Sequence, residues 1–409
     1  MENNVEIRKR LVHSCKRIVI KAGTRLLTDP EALAVLIRQI KVVRDSGIQV
    51  LLVSSGAVGT GMRTLGLKKR PRKLSEVQAL AAIGQIRLMS VYESECEKLG
   101  FHAAQILLTA DDLRSRERHL NALNCIETLL AQDILPIINE NDPISVDELK
   151  FGDNDILAAL LASMTRSDLA IILTTVDGLM RPNPDGTLGE RISVVQGVTD
   201  EQRNMANGTD DASMSIGGMK SKLRCADILN SAGECLWIAS GKDPHVIEKI
   251  FRAEDIGTVF LPRHRTKVES RKRWIATFAK TSGKLIVDPG AVRALETHGS
   301  SLLPAGVKFV QGTFKRGSVV EICSLEGETV AKGLVNFSSE DCMKLIGCQS
   351  SKIHDILRDH SPQQHGAAQG CGGIIHEHLY QNLRMPDERA RQRRRSRHAR
   401  RGRTYHRRF

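Results

Sequence analysis

"LPIINENDPISVDELKFGDNDILAALLASMTRSDLAIIL" runs from Leu135 to Leu173. It opens and closes on short apolar runs. Between them lie a polar loop and an apolar stretch long enough for three turns of helix. The outer runs are nearly continuous rather than alternating, which is how strands read when both faces of the sheet are covered, as in a parallel sheet. Strand, loop, helix, strand is the unit from which such sheets are wound. The loop is the unusual part. From Ile138 to Ala162 the chain carries four aspartates, two glutamates and three asparagines, a crowd of acids at the mouth of an apolar core.

The same texture recurs on both sides. "RIVI" (Arg17–Ile20), "QVLLV" (Gln49–Val53), "QILL" (Gln105–Leu108) and "LWIA" (Leu236–Ala239) are further buried-strand runs. Helical spacing of three and four separates them, in "SEVQALAAIGQIRLMSVYESECEKL", with Ser75 as candidate N-cap, and in "HLNALNCIETLLAQ". The fold expected is α/β, a mainly parallel sheet between helices. The strand exits are alike: Lys21-Ala22-Gly23-Thr24, Ser54-Ser55-Gly56-Ala57, Asn139-Glu140-Asn141-Asp142 and Thr174-Thr175-Val176-Asp177-Gly178. Turn chemistry accounts for any one of these. Four together, with a lysine and two clusters of glycine and small residues, point to a ligand beyond the carboxyl ends of the strands.

"SIGGMKSKLRCADIL" (Ser215–Leu229) sets two glycines before a helix carrying Lys220 and Lys222. Free N–H groups at a helix start, with lysines nearby, form an anion site. There is no Walker-type phosphate loop. Lys21 is a second cation, and two lysines from distant parts of the chain suit phosphoryl transfer, where a protein mainly positions reactants and neutralises spreading charge. The acids of the opening stretch could orient those lysines, pair with an ammonium group or position a hydrated magnesium ion. Asp153, Asn154 and Asp155 stand at a helix start, where one of them is expected to cap.

Composition bounds the rest. The chain has 409 residues, enough for two domains. No apolar run approaches the ~18 residues of a membrane helix, and the first twenty residues lack a leader's apolar stretch; a cytoplasmic protein is expected. Nine dispersed cysteines argue against a disulfide framework or a zinc site. The net charge of +13 is mostly local: Arg384–Phe409 holds twelve arginines against two acids, a balance of +10, which leaves about +3 for the remainder. Beyond residue 262 short strands and glycine turns predominate, with "LEGE" (Leu325–Glu328) as a hairpin tip. The organisation expected is a catalytic α/β domain at 1–262, a linker at 263–280, a small mostly β domain at 281–358, and a basic tail at 359–409 whose composition predicts disorder and no strand of that domain.

The motifs "VSSGAVGTG", "QALAAIGQIRLM", "QILLTADDL", "RERHLNA", "LPIINEND", "FGDNDILAALLA", "VDGLM" and "GGMKSKL", in this order, resemble the glutamate 5-kinases of the amino acid kinase superfamily. "GSSLLPAGVKFVQGTFKRGSVVEI" resembles their C-terminal PUA domain, and the likeness covers about residues 14–358. The resemblance implies an α/β/α sandwich followed by that small β domain, and transfer of phosphate from ATP, with Mg²⁺, to L-glutamate in the first step of proline synthesis. It assigns glutamate to Ser55, Asp142 and Asn154, with Asp153 nearby. Lys21 and Lys222 would stabilise the transferring group, and Asp155 would orient them. Lys21, Thr174, Thr175, Ile216, Gly217, Gly218, Met219, Lys220, Ser221 and Lys222 would line the ATP site; no side chain is assigned as a direct metal ligand. A homo-oligomer and feedback by proline are also implied. The chain departs from the family pattern at Thr175, where aspartate is usual, at Ser215-Ile216, where Gly-Thr is usual, and at Ala22, where a larger apolar residue is common. Two other readings stay open: another amino acid kinase, or an RNA-binding PUA protein whose kinase domain is vestigial.

Overall fold

The computed structural model describes residues 4–23, 30–145, 153–183, 187–205, 218–262, 275, 278–298, 301–358 and 375–380. The chain divides into two compact units, Met1–Ala279 and Lys280–Phe409.

The first unit is built on an eight-stranded sheet. Its strands are β1 (Arg17–Ala22), β2 (Gln49–Val53), β3 (Ala103–Leu108), β4 (Leu135–Glu140), β5 (Leu169–Thr174), β8 (Val194–Gln196), β9 (Cys235–Ser240) and β10 (Thr258–Leu261). A separate ribbon pairs β6 (Met180–Pro182) with β7 (Leu188–Arg191). The order across the sheet is β3-β4-β2-β1-β5-β9-β10-β8. From β3 to β9 all pairs are parallel; β10 turns antiparallel to β9, and β8 follows β10. Side chains alternate between two cores. Ile18, Ile20, Leu52, Ile171 and Trp237 pack on one face, Val19, Leu51, Val53, Ile172 and Ile238 on the other. This is why the strands read as unbroken apolar runs.

The chain leaves β1 towards β2, returns, and enters β5 on the other side of β1. Strand order therefore reverses between β1 and β5, the place in an open α/β sheet where a ligand crevice forms. Lys21 lies within β1, opposite Val53 and Ile172, so the strand runs two residues past the end read from sequence.

Helices α1 (Asn4–Ser14), α2 (Pro30–Asp45), α3 (Ala57–Thr64), α4 (Leu74–Glu97), α5 (Ala110–Arg114), α6 (Arg116–Ala131), α7 (Asn154–Thr165), α8 (Asp200–Met205), α9 (Met219–Ser231) and α10 (Val246–Phe251) complete this unit. Lys73, not Ser75, occupies the N-cap of α4: the helix takes in Leu74, and the serine falls inside its first turn. Gly56, at φ 94°, opens α3, a conformation glycine adopts without strain. α3 and α4 then meet backbone to backbone. A Cβ on Gly84 would lie 1.8 Å from the Ala57 carbonyl oxygen. Gly84→Ala should therefore cost about 1–3 kcal/mol of stability by overpacking. Chemical denaturation measures this, and an unchanged midpoint would mean the two helices have room to part.

Phe278, which the sequence reading put in the linker at 263–280, is buried in the second core with its ring edge-on to His119, centroids 4.8 Å apart. A phenylalanine set between Thr277 and Ala279 found an apolar site, so the first unit extends past the boundary at 262. Most of the remaining linker lies outside the described residues.

The second unit carries a five-stranded sheet ordered β12-β11-β13-β14-β15, from β11 (Thr281–Val287), β12 (Val307–Gln311), β13 (Val319–Cys323), β14 (Thr329–Val335) and β15 (Ile375–Tyr380). The β13–β14 hairpin turns at Leu325–Glu328, with Gly327 at φ 82°. Helices Pro289–His298 and Ser339–Leu345 accompany it. β15 corrects the expectation that 359–409 supplies no strand to this domain: Ile375–Tyr380 pairs antiparallel with β14. Six residues of strand were hidden by the surrounding Gln, Gly and Arg composition. The rest of that tail, and the disorder expected for it, lie outside the described residues.

Candidate active site

Asp155 is the centre of the site. It lies in the first turn of α7, is 1% exposed, and accepts two cations from opposite directions. Lys21 Nζ, from the central strand, lies 2.6 Å from Oδ1, and Lys222 Nζ, from α9, lies 3.0 Å from Oδ2. Both lysines are buried, at 9% and 5% exposure. Burial alone would push the Asp155 carboxyl up, but the charges and hydrogen bonds of the two lysines outweigh it and hold the group below the usual aspartate range.

The neighbouring acid goes the other way. Asp153 is the N-cap of α7: Oδ1 accepts from the Asp155 N–H at 3.0 Å, and Oδ2 accepts from Ser221 Oγ at 3.1 Å. One polar residue of the three thus caps, as expected. Burial, followed by the charge of Asp155, raises its pKa. Burial and the Asp155 charge thus both oppose the charged form of Asp153, and a nearby cation would relieve that opposition. Cys225, buried below the same carboxylates, has its thiol pushed up by burial and fits a packing role.

Asn154 faces the exit of β2. Its Nδ2 donates to the Ser54 carbonyl at 2.7 Å, to Ser55 Oγ at 2.8 Å and to Asn139 Oδ1 at 2.9 Å. Ser55 is 8% exposed. Asp142 follows β4 in a turn closed by the Ile144 and Ser145 N–H groups on the Asn141 carbonyl. Since β4 pairs with β2, Asp142 and Ser55 leave the sheet from adjacent strands on one edge. Asp147 and Glu148 of the opening stretch lie outside the described residues.

On the other side of Lys21, Thr174 ends β5 and its carbonyl accepts from the Gly241 N–H at 2.8 Å, tying the exits of β5 and β9 together. Thr175 follows, partly buried. Gly218 is the N-cap of α9 and offers no capping side chain, so the helix start keeps N–H groups for an anion. Met219 packs on the second core, Lys220 is exposed, and Ser221 links α9 to Asp153. Ile216 and Gly217 lie outside the described residues.

Two residues that sequence reasoning passed over, Gln85 and Tyr92, support this site through Asn139 and Ser54 of the strand exits. Asn139 and Gln85 stand behind Asn154, with Asn139 Nδ2 donating to Gln85 Oε1 at 2.9 Å. Ser54 Oγ shares a 3.0 Å hydrogen bond with the buried Tyr92 hydroxyl. Gln85 had a signal: a polar residue on the face of α4 that buries Leu80, Ala81, Leu88 and Tyr92.

Comparison with known proteins agrees in extent with these two units. Residues 16–240 match the amino acid kinase family and residues 283–357 the PUA domain. The chain is similar to the glutamate 5-kinase of a Marinomonas species, 44% identical over 363 residues, 86% of this chain and 96% of that one. It is similar to that of Desulfotalea psychrophila at 43% over 364 residues, 87% and 96%. A solved carbamate kinase from Giardia lamblia, bound to AMP-PNP, aligns at 16% identity with a TM-score of 0.45, covering 61% of this chain and 99% of that one.

Proposed function

The chain belongs to the amino acid kinase family and, within it, to the glutamate 5-kinases, and from that premise we propose that it moves the γ-phosphoryl group of ATP to the γ-carboxylate of L-glutamate, opening proline biosynthesis. The observation that supports this most is the buried triad: one aspartate holding two lysine ammonium groups at the point where the sheet's strand order reverses.

The attacking carboxylate of glutamate is already an anion, so no general base is needed. What the reaction needs is charge neutralised on the transferred oxygens and two anions held in line. Lys21 and Lys222 supply the charge. Asp155 keeps both ammonium groups at fixed positions before substrate arrives, so little reorganisation is needed during transfer. The N–H groups at the start of α9, with Thr174 and Thr175, line the nucleotide. Ser55, Asn154 and Asp142 hold glutamate, the last as partner for its ammonium group. Mg²⁺ bound with the nucleotide would neutralise phosphate charge, and Asp153, whose own charge is opposed by burial and by Asp155, is the side chain suited to hold it. Family membership also supports a cytoplasmic homo-oligomer under feedback by proline.

ADP release measured with glutamate, aspartate and N-acetylglutamate tests the reading. Glutamate should be the preferred acceptor by a wide margin; turnover with one of the others alone would assign a different member of the superfamily. Asp142→Ala should raise KM for glutamate far more than KM for ATP, because a charged partner is lost, at about 2–3 kcal/mol or roughly 30- to 150-fold in kcat/KM. An equal rise for both substrates would take Asp142 out of the glutamate site.

A further inference from the structure

Asn154 belongs to a chain of side-chain amides whose orientations are fixed from two backbone ends. The Ser54 carbonyl can only accept, so the Asn154 atom 2.7 Å from it is the amide nitrogen. The Glu140 N–H can only donate, so the Asn139 atom 2.9 Å from it is the oxygen. That oxygen also accepts from Asn154. Asn139 must then turn its nitrogen to Gln85, whose Oε1 accepts at 2.9 Å. Oxygen and nitrogen of an amide are interchangeable in shape, and here the donor–acceptor pattern decides between them.

The consequence falls on Asn154. Its hydrogens are spent on Ser54, Ser55 and Asn139, so the atom left to offer a ligand is its oxygen, an acceptor. An acceptor on a residue assigned, like Asp142, to the glutamate site suits an ammonium donor. Were Asn154 to flip, a donor would face that ammonium instead. Ser54 and Glu140 decide which way the two amides face; what anchors Asn139 at the far end of the chain is Gln85, on α4. It is 7% exposed, and among the described residues its Nε2 finds no hydrogen-bond partner. What Gln85 contributes is therefore its acceptor oxygen alone.

We propose that Gln85 is a positioning residue for the amino acid substrate: by anchoring the Asn139 amide it steadies Asn154, whose oxygen is the atom left for the substrate ammonium. This rests on the glutamate kinase reading above. Gln85 touches no reacting atom, and its influence belongs to the binding of the amino acid, not to that of ATP or to the transfer itself.

The test is steady-state kinetics of the full chain with three proteins. Wild type is measured first with glutamate. Gln85→Met keeps length and burial but removes the acceptor. Gln85→Glu keeps an acceptor oxygen and exchanges the unpartnered amide nitrogen for a second carboxyl oxygen. Loss of one hydrogen bond predicts that Q85M raises KM for glutamate by roughly 5- to 30-fold, with kcat and KM for ATP within about threefold of wild type, and that Q85E restores glutamate KM to within about threefold. A residue that served packing alone would move both KM values together or neither, and either pattern in Q85M overturns the proposal. Should Q85M fail to fold, Gln85→Leu, which also lacks the acceptor, decides: a rise of at least about fivefold in glutamate KM with KM for ATP within about threefold supports the proposal, and an unaltered glutamate KM overturns it. A wild-type chain without glutamate-dependent ADP release removes the functional reading and this proposal together, whereas an active wild type with an unaltered Q85M removes the proposal alone.

Discussion

Lys222→Ala is expected to lower kcat by about 10³-fold, on the order of 4 kcal/mol, in a protein that still folds and still binds glutamate. The fold should survive because Asp155 is not orphaned: Lys21 remains 2.6 Å from its other oxygen. Removing one cation from a group of two acids and two lysines shifts the local balance by one charge and leaves the α7 cap, made by Asp153, intact. The rate should collapse because the lost charge is the one carried by α9, the helix whose start is proposed to receive the nucleotide. A cation that meets charge developing only during transfer lowers the barrier without tightening the ground state. Its removal therefore belongs in kcat and not in either KM. Lys222→Met, which keeps the stem, should behave like alanine and so separate charge from packing. Thermal melting establishes folding, and kcat at saturating glutamate and ATP reads the effect. A folded Lys222→Ala protein with kcat within tenfold of wild type would leave Lys222 as a structural partner of Asp155 and nothing more.

How much of this was legible beforehand depends on the kind of signal. Most of the parallel strands were readable because β1, β2, β4, β5 and β9 are buried on both faces, and continuous apolar runs leave no other home. That one of Asp153, Asn154 and Asp155 caps α7 was readable because capping is local: the chemistry sits within two residues of the N–H it accepts from. Ser75 misled for the complementary reason. A cap preference is weak beside the packing that set where α4 begins, and Leu74 was taken into the helix. β15 was missed because a strand of six residues borrows its stability from β14, and nothing in its own surroundings announces that partner. Lys21 and Lys222 could be suspected as a pair, and the family resemblance implied that Asp155 orients them. That one carboxylate holds both depends on β1, α7 and α9 converging, and no spacing in the chain encodes that. Gln85 and Asn139 show the limit most clearly: their meaning is a direction of hydrogen bonding, which appears only when the Ser54 carbonyl and the Glu140 N–H are in place to fix it.

Asp155→Ala should cost about 3–5 kcal/mol of stability as well as activity, since it strands two buried ammonium groups with no shared counterion. Lys21 and Lys222 are both less than one-tenth exposed, so water cannot easily take the place of the carboxylate. The acid limb of the wild-type stability curve should show the same interaction. Asp155 titrates below its unfolded value, so its contribution is fully present above roughly pH 4 and is lost as the pH falls through the folded pKa. The stability gap between wild type and Asp155→Asn should accordingly shrink in acid, because protonated Asp155 is itself neutral. Whether the triad exists for stability or for chemistry is decided by removing all of it. Replacing a buried ion group by apolar side chains of similar size is often neutral or stabilising. Asp155→Leu combined with Lys21→Met and Lys222→Met should therefore recover most of what Asp155→Ala loses, and should still release no ADP with glutamate. An Asp155→Ala protein as stable as wild type would show that the lysines find other partners and are not held by this carboxylate. A triple variant as unstable as the single one would show that the charges are needed for folding, and the argument that the protein keeps them for phosphoryl transfer would fail.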